Sequence, residues 1–179
     1  MLKYIKLSAD HLELIMGWRM QPHVTKYMLT DIDDNINKQR NWYENIDTNQ
    51  SKYWMISYEN QFVGLVYLTD IDPKNYHCKL GFYIGEKEYT GIGGLCLPPV
   101  YNYIFNKMKF VKIYGEVIEG NELIMKIHKH HGWRKVGIFK DHIFKNNVFI
   151  DVHIVELLKH HWLSNKDRKS VTNNIYFEE

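Results

Sequence analysis

Apolar and polar positions alternate along "LKYIKL", Leu2 to Leu7, with the two-residue period of a strand that buries one face. Ser8 and Asp10 follow as candidate N-caps for a helix over "HLELIMGWR". Pro22 suits the first turn of a short helix, "PHVTKYM". "NINKQRNWYENI" predicts a third helix, with Ile36, Trp42 and Ile46 as its apolar contacts. "KYWMISY" and "FVGLVYLTDI", separated by "ENQ", read as a hairpin, and "HCKLGFYIG" as a further strand. Tyr101, Ile104, Phe105 and Met108 recur at helical spacing. "KIYGEVI" is a strand, and "NELIMKIHKHHG" a helix stopped by Gly132. Two last strands, "WRKVGIFKDHIF" and "VFIDVHIVEL", flank Asn146-Asn147, a tight-turn pair.

The predicted order is β-α-α-(α)-β-β-β-α-β-α-β-β, without internal repeat or linker, which fits one α/β domain with a mixed sheet. A length of 179 residues suits a single core. Residues 1–162 form that domain, and the polar stretch 163–179 reads as a loose tail. A net charge of +2 argues against nucleic-acid or membrane-surface partners. No apolar run approaches the ~20 residues of a bilayer span, and "MLKYIKLSAD" lacks the apolar region of a secretory leader. Cys78 and Cys96, the only two cysteines, make no CxxC pair, so a reducing cytoplasm is the simplest expectation.

Gly91, Gly93 and Gly94 stand between a strand and a helix. There, backbone N–H groups and the helix dipole favour an anion, and missing Cβ atoms let it come close. A tight turn with no ligand accounts for the glycines equally well. The segment is neither a GxxxxGK[ST] loop nor an early GxGxxG fingerprint. Pro98 and Pro99 predict a late start or a kink in the following helix.

Glu88-Tyr-Thr-Gly91-Ile92-Gly93 fills the frame [RQ]xxGxG/A, with Glu88 where Arg or Gln is usual. "NELIMKIHKHHGW" matches NxxAxxxYxxxGF, with Asn121, Ile124, His128, Gly132 and Trp133 at the marked positions. With the element order, these motifs resemble the GNAT superfamily of acetyl-CoA-dependent N-acetyltransferases over about Leu2 to Trp162. The resemblance implies a mixed, mostly antiparallel sheet of about seven strands flanked by helices and splayed between the fourth and fifth. It implies acetyl-CoA as co-substrate. Thr90, Gly91, Ile92, Gly93 and Gly94 would hold the pyrophosphate, and open backbone groups of Phe82 and Ile84 the pantetheine arm, with Asn121 and His128 beside it. The oxyanion would meet a backbone N–H near Ile84.

His128 stands where this superfamily usually places the Tyr that protonates the departing thiolate. An imidazole of reference pKa about 6.5 can deliver a proton to a thiolate of about 8.5, provided that it is charged. Packing on the pantetheine is the alternative. For the base, a backbone carbonyl with water would serve, with Asp70 or Tyr83 as outside candidates.

"WRMQPHVTKYMLTDIDDNINKQRNWY", "GLVYLTDID" and "FIDVHIVEL" resemble acetyltransferases of the pseudaminic acid pathway. Those enzymes acetylate the 4-amino group of a UDP-linked 4-amino-4,6-dideoxy sugar, on the way to a nonulosonic acid of flagellin or surface polysaccharide. The resemblance implies Arg19 on the diphosphate, Trp42 on the uracil, and Gln39, Thr69, Asp70 and Tyr83 around the nucleotide sugar. The plain alternatives are a helix-end Arg, a core Trp and a Thr-Asp turn. A ribosomal-type protein N-terminal acetyltransferase and a non-catalytic acyl-CoA-binding module stand as the alternative functions. Ten histidines without HExxH or a thiolate cluster do not argue for a metal. Pairing of the C-terminal strands between subunits leaves a homodimer open.

Overall fold

The computed structural model describes residues 1–166 and 175–179. Its strands are β1 (Leu2–Lys6), β2 (Lys52–Tyr58), β3 (Gln61–Asp72), β4 (His77–Ile84), β5 (Lys112–Ile118), β6 (Arg134–Lys145), β7 (Val148–Leu158) and β8 (Tyr176–Phe177). The helices are α1 (Leu12–Met20), α2 (Pro22–Thr25), α3 (Ile36–Glu44), α4 (Gly93–Asn102), α5 (Glu122–His130) and α6 (Lys159–Ser164). One sheet runs in the order β6-β7-β5-β4-β3-β2-β1-β8. Pairing is antiparallel except between β4 and β5 and between β1 and β8. Among the described residues, no helix is long and apolar enough to cross a membrane.

The two-residue period of the strands sorts their side chains into two cores. Tyr4, Trp54, Ile56, Val66 and Leu68 face one side of the sheet, with α4 and Trp162 of α6. Ile5, Met55, Leu65 and Tyr83 face the other, under α1, α2 and α3. Each buried large side chain contributes about 1.5–3 kcal/mol relative to exposure. The central strands are apolar on both faces because helices cover both.

Local signals set several ends. Asn35 caps α3, its side chain accepting from the Asn37 and Lys38 amides at 3.0 and 3.2 Å. Asn146 and Asn147 take φ of 51° and 63° between β6 and β7, the left-handed pair of a two-residue hairpin. Gly132, at φ 88°, follows the end of α5.

Two expectations change. The helix with Pro98 and Pro99 does not start late: α4 begins at Gly93 and carries both prolines inside. The chain then widens into a π-helical turn, Tyr103–Lys107. The expected sheet of about seven strands has eight, because the end of the polar stretch is not loose. Tyr176 and Phe177 pair with Lys3 and Tyr4. The Phe177 ring stacks on Tyr4 at 4.1 Å and Tyr103 at 4.6 Å, and Trp54 Nε1 donates to the Glu178 carbonyl at 2.8 Å. Residues 167–174 of the expected tail lie outside the described residues.

Candidate functional site

β4 and β5 pair only through His77, Cys78 and Lys79, opposite Lys112, Ile113 and Tyr114. Beyond that point they part. The β5-facing backbone of Leu80 to Ile84 has no strand partner among the described residues. Gly115 sits at the fork, where a Cβ would lie 3.3 Å from the Leu80 carbonyl oxygen. Across the opening, Lys79 Nζ donates to Glu116 Oε2 at 2.8 Å. Both side chains are mostly buried, at 25% and 20% exposure.

The opening leads into a cavity of about 260 Å³ lined by Arg19, Tyr27, Thr30, Tyr67, Lys79 and Glu116, with Thr69, Asn121 and His128. Arg19, from the last turn of α1, donates through Nη2 to the Thr30 carbonyl at 2.7 Å and to Thr30 Oγ1 at 3.2 Å. Its buried Nε carries no partner. The charged groups of this wall are thus two cations and one carboxylate. Tyr67 stands on Tyr53, ring centroids 5.6 Å apart, and Tyr53 meets Trp42 edge-on at 5.2 Å.

A second groove adjoins the first. It is lined by His23, Tyr27, Phe82, Tyr83, Ile84, Ile124 and Ile127 and runs to Thr90 and Gly93. Gly91 is exposed and Gly93 opens α4, its absent Cβ lying 3.4 Å from the Phe82 ring. Gly91 and Gly94 face a neighbouring hollow against Lys126 and Ile127 of α5. An open strand edge, an apolar groove and a glycine turn at a helix N-terminus fit an extended thiol ester arm ending in a diphosphate. Ile92, by contrast, turns toward the core.

His128 is 7% exposed and lies flat on Trp133, centroids 4.4 Å apart at 25°. Burial, with His131 beside it, lowers its pKa to about 3. Its Nδ1 has no hydrogen-bond partner. The ring is therefore neutral near pH 7, and the imidazolium that the sequence analysis required is not its resting form. Asn121 caps α5, accepting from the Ile124 amide at 3.4 Å, and lines both cavities.

Several expected contacts are not formed. Trp42 packs edge-on with Tyr53, is half-buried and does not line this cleft. Gln39 sits on α3, away from the cleft lining. Asp70 takes φ 48° at a β-bulge and accepts from Tyr114 Oη at 3.0 Å, outside the cavity wall. The Tyr83 ring packs edge-on against Trp18, and burial pushes its phenol well above the usual range, which does not suit a base. Thr69 and Arg19 do line the cleft.

Lys79, Glu116, Tyr67 and Thr30 escaped the sequence reading. Glu116 had a signal: it is the one acid within the strand "KIYGEVI", directly after the glycine at the fork. Among the described residues, no three His, Cys, Asp or Glu side chains converge as metal ligands.

A family model described as acetyltransferase (GNAT) domain matches residues 7–154. Two acetyltransferases named PseH, from two strains of Campylobacter jejuni, are 21% and 23% identical over 131 residues, covering 72% of this chain and 80% of theirs. The structure of spermidine N-acetyltransferase from Vibrio cholerae in complex with CoA and spermine superposes with a TM-score of 0.83 at 19% identity, over 91% of this chain and 98% of that one. A chimera of the same Vibrio cholerae enzyme reaches 0.82 at 19% identity, over 92% and 99%.

Proposed function

The chain belongs to the GNAT acetyltransferase family and is an N-acetyltransferase, and on that premise we propose that its acceptor is the 4-amino group of a UDP-linked 4-amino-4,6-dideoxy sugar, in the biosynthesis of a nonulosonic acid. The observation that carries this is the charge of the cleft. Arg19 and Lys79 face it against the single carboxylate of Glu116, and the buried Arg19 Nε is without a partner. The Arg19 guanidinium lines the cleft, and its planar fork of donors suits a diphosphate oxygen. The similarity to the two PseH proteins supports the same substrate class. The likeness to spermidine acetyltransferases is one of fold. A polyamine brings several positive charges, and this wall offers one acid for two bases.

In this reading the edge of β4 aligns the pantetheine arm, and Thr90, Gly91, Gly93 and Gly94 receive the pyrophosphate. Glu116 stands at the fork as the base. It takes the proton that the amine nitrogen loses as the nitrogen bonds to the acetyl carbon. A backbone N–H near Ile84 holds the oxyanion. The C–S bond then breaks, the sulfur leaves as a thiolate beside neutral His128, whose N–H hydrogen-bonds it, and it takes up the proton that Glu116 carried, which resets the base.

The test is thiol release from acetyl-CoA with UDP-4-amino-4,6-dideoxy-N-acetyl-altrosamine, its gluco-configured epimer, spermidine and a short peptide with a free α-amine. Release with the altrosamine is expected. Release with spermidine or peptide alone would sink the sugar reading.

A further inference from the structure

Lys145, the last residue of β6, is buried at 8% exposure. Its ammonium has three N–H donors and meets three acceptors: the Thr25 carbonyl at 2.7 Å, the Met28 carbonyl at 3.2 Å and Asp31 Oδ1 at 2.6 Å. All three lie in residues 25–31, the end of α2 and the connection that leads from it toward α3. β6 and β7 go on pairing past Val152, where β5 ends, so the hairpin tip runs beyond the end of β5 and meets this connection. Two register shifts along β6 bend it, and the Asn146-Asn147 turn fixes the residue before it against the connection.

The clamped connection is a wall of the cleft. Tyr27 and Thr30 line it, and Thr30 holds the Arg19 guanidinium through two hydrogen bonds. Contacts therefore run from the hairpin through Lys145 to residues 25–31 and on to Arg19. The ammonium is buried but its carboxylate partner Asp31 is 65% exposed, so the ion pair as such adds little stability. A fully satisfied ammonium adds direction: three bonds fix one loop conformation.

We propose that Lys145 is a positioning residue for the acceptor, acting through the 25–31 connection and Arg19 and touching neither substrate. The inference rests on the cleft being the acceptor site, but not on which amine enters it. Lys145→Met and the milder Asp31→Asn are compared with the wild type on the amine it accepts from the nucleotide sugars, spermidine and peptide. Lys145→Met is expected to raise the acceptor KM about tenfold or more, with kcat and the acetyl-CoA Kd within about threefold. Asp31→Asn is expected to shift KM the same way by a smaller factor and to stay folded. Hydrogen exchange of amides 26–31 is expected to quicken in Lys145→Met while that of 77–84 stays unchanged. An unchanged acceptor KM in both variants overturns the proposal. So does a parallel decline of kcat, KM and acetyl-CoA binding with the folded fraction, the mark of a merely structural staple. Unchanged exchange at 26–31 overturns it even if the wild type accepts none of the amines. A wild type active only on spermidine or peptide fells the sugar reading, and Lys145 is then scored on that amine.

Discussion

The Lys79 ammonium and the Glu116 carboxylate meet at 2.8 Å just where β4 and β5 stop pairing. The pair ties the fork together and points a carboxylate into the cleft. In the proposed role of base, Glu116 would accelerate proton removal by the factor of about 10²–10⁴ that general catalysis supplies. Glu116→Gln keeps the shape and the Lys79 contact. Its kcat is expected to fall about 100-fold or more, with acetyl-CoA binding unchanged by calorimetry. A kcat within a few-fold of wild type removes Glu116 from the chemistry.

Arg19→Lys keeps the charge and loses the fork. With the nucleotide sugar, KM is expected to rise about tenfold, and free UDP to lose a similar factor as a competitive inhibitor. Equal UDP inhibition of both proteins would detach Arg19 from the diphosphate.

His128 links the site to pH stability. Its folded pKa of about 3 lies below the unfolded value of about 6.5. Between those values the unfolded chain holds a proton that the folded ring lacks. Stability is full above pH 6.5 and declines by about 1.4 kcal/mol per unit as pH falls through this window. His128→Phe keeps a flat ring on Trp133 without the titration. Urea unfolding from pH 7 to pH 5 should show a shallower pH slope for the variant. Parallel slopes would mean that the folded ring takes up its proton as readily as the unfolded one.

How much of this was legible in the sequence depends on the range of the interaction. The strands, the Gly132 helix stop and the Asn146-Asn147 turn follow from neighbouring residues and period, and the glycine turn and the fork came with the family motifs. The cleft wall is nonlocal. Arg19 and Thr69 line it, whereas Trp42 meets Tyr53, an edge contact that α3 makes only once it is laid on β2. Lys79 and Glu116 are 37 residues apart, and their partnership exists only in the register of β4 with β5. Sequence alone gives His128 the pKa of an exposed imidazole, because its burial against Trp133 is a tertiary fact.

Gly85 packs against the indole of Trp18, where a Cβ would lie 2.1 Å from the ring. Trp18 Nε1 in turn donates to Glu86 at 2.7 Å. Gly85→Ala must push α1 away from β4, and Arg19 with it. A stability loss of about 1–3 kcal/mol is expected from overpacking, together with a higher acceptor KM. A variant of wild-type stability would mean that α1 shifts freely.

Phe177→Ala is expected to lower stability by on the order of 2 kcal/mol, less than for a fully buried Phe, since residue 177 is half-buried. Thermal unfolding measures it, and acetyl transfer at low temperature should stay normal because β8 lies far from the fork. Wild-type stability would show that the stack on Tyr4 and Tyr103 contributes little.

The pairing of β8 with β1 also sets an order of events during synthesis. β1 leaves the ribosome first of all the strands and waits for residues 176 and 177 to complete its outer edge. Through that interval Tyr4, Trp54 and Tyr103 present an uncovered aromatic surface beside an unpaired strand, the kind of edge that recruits foreign strands. The nascent chain is thus most exposed to misassociation late in translation, when most of the sheet can already have formed.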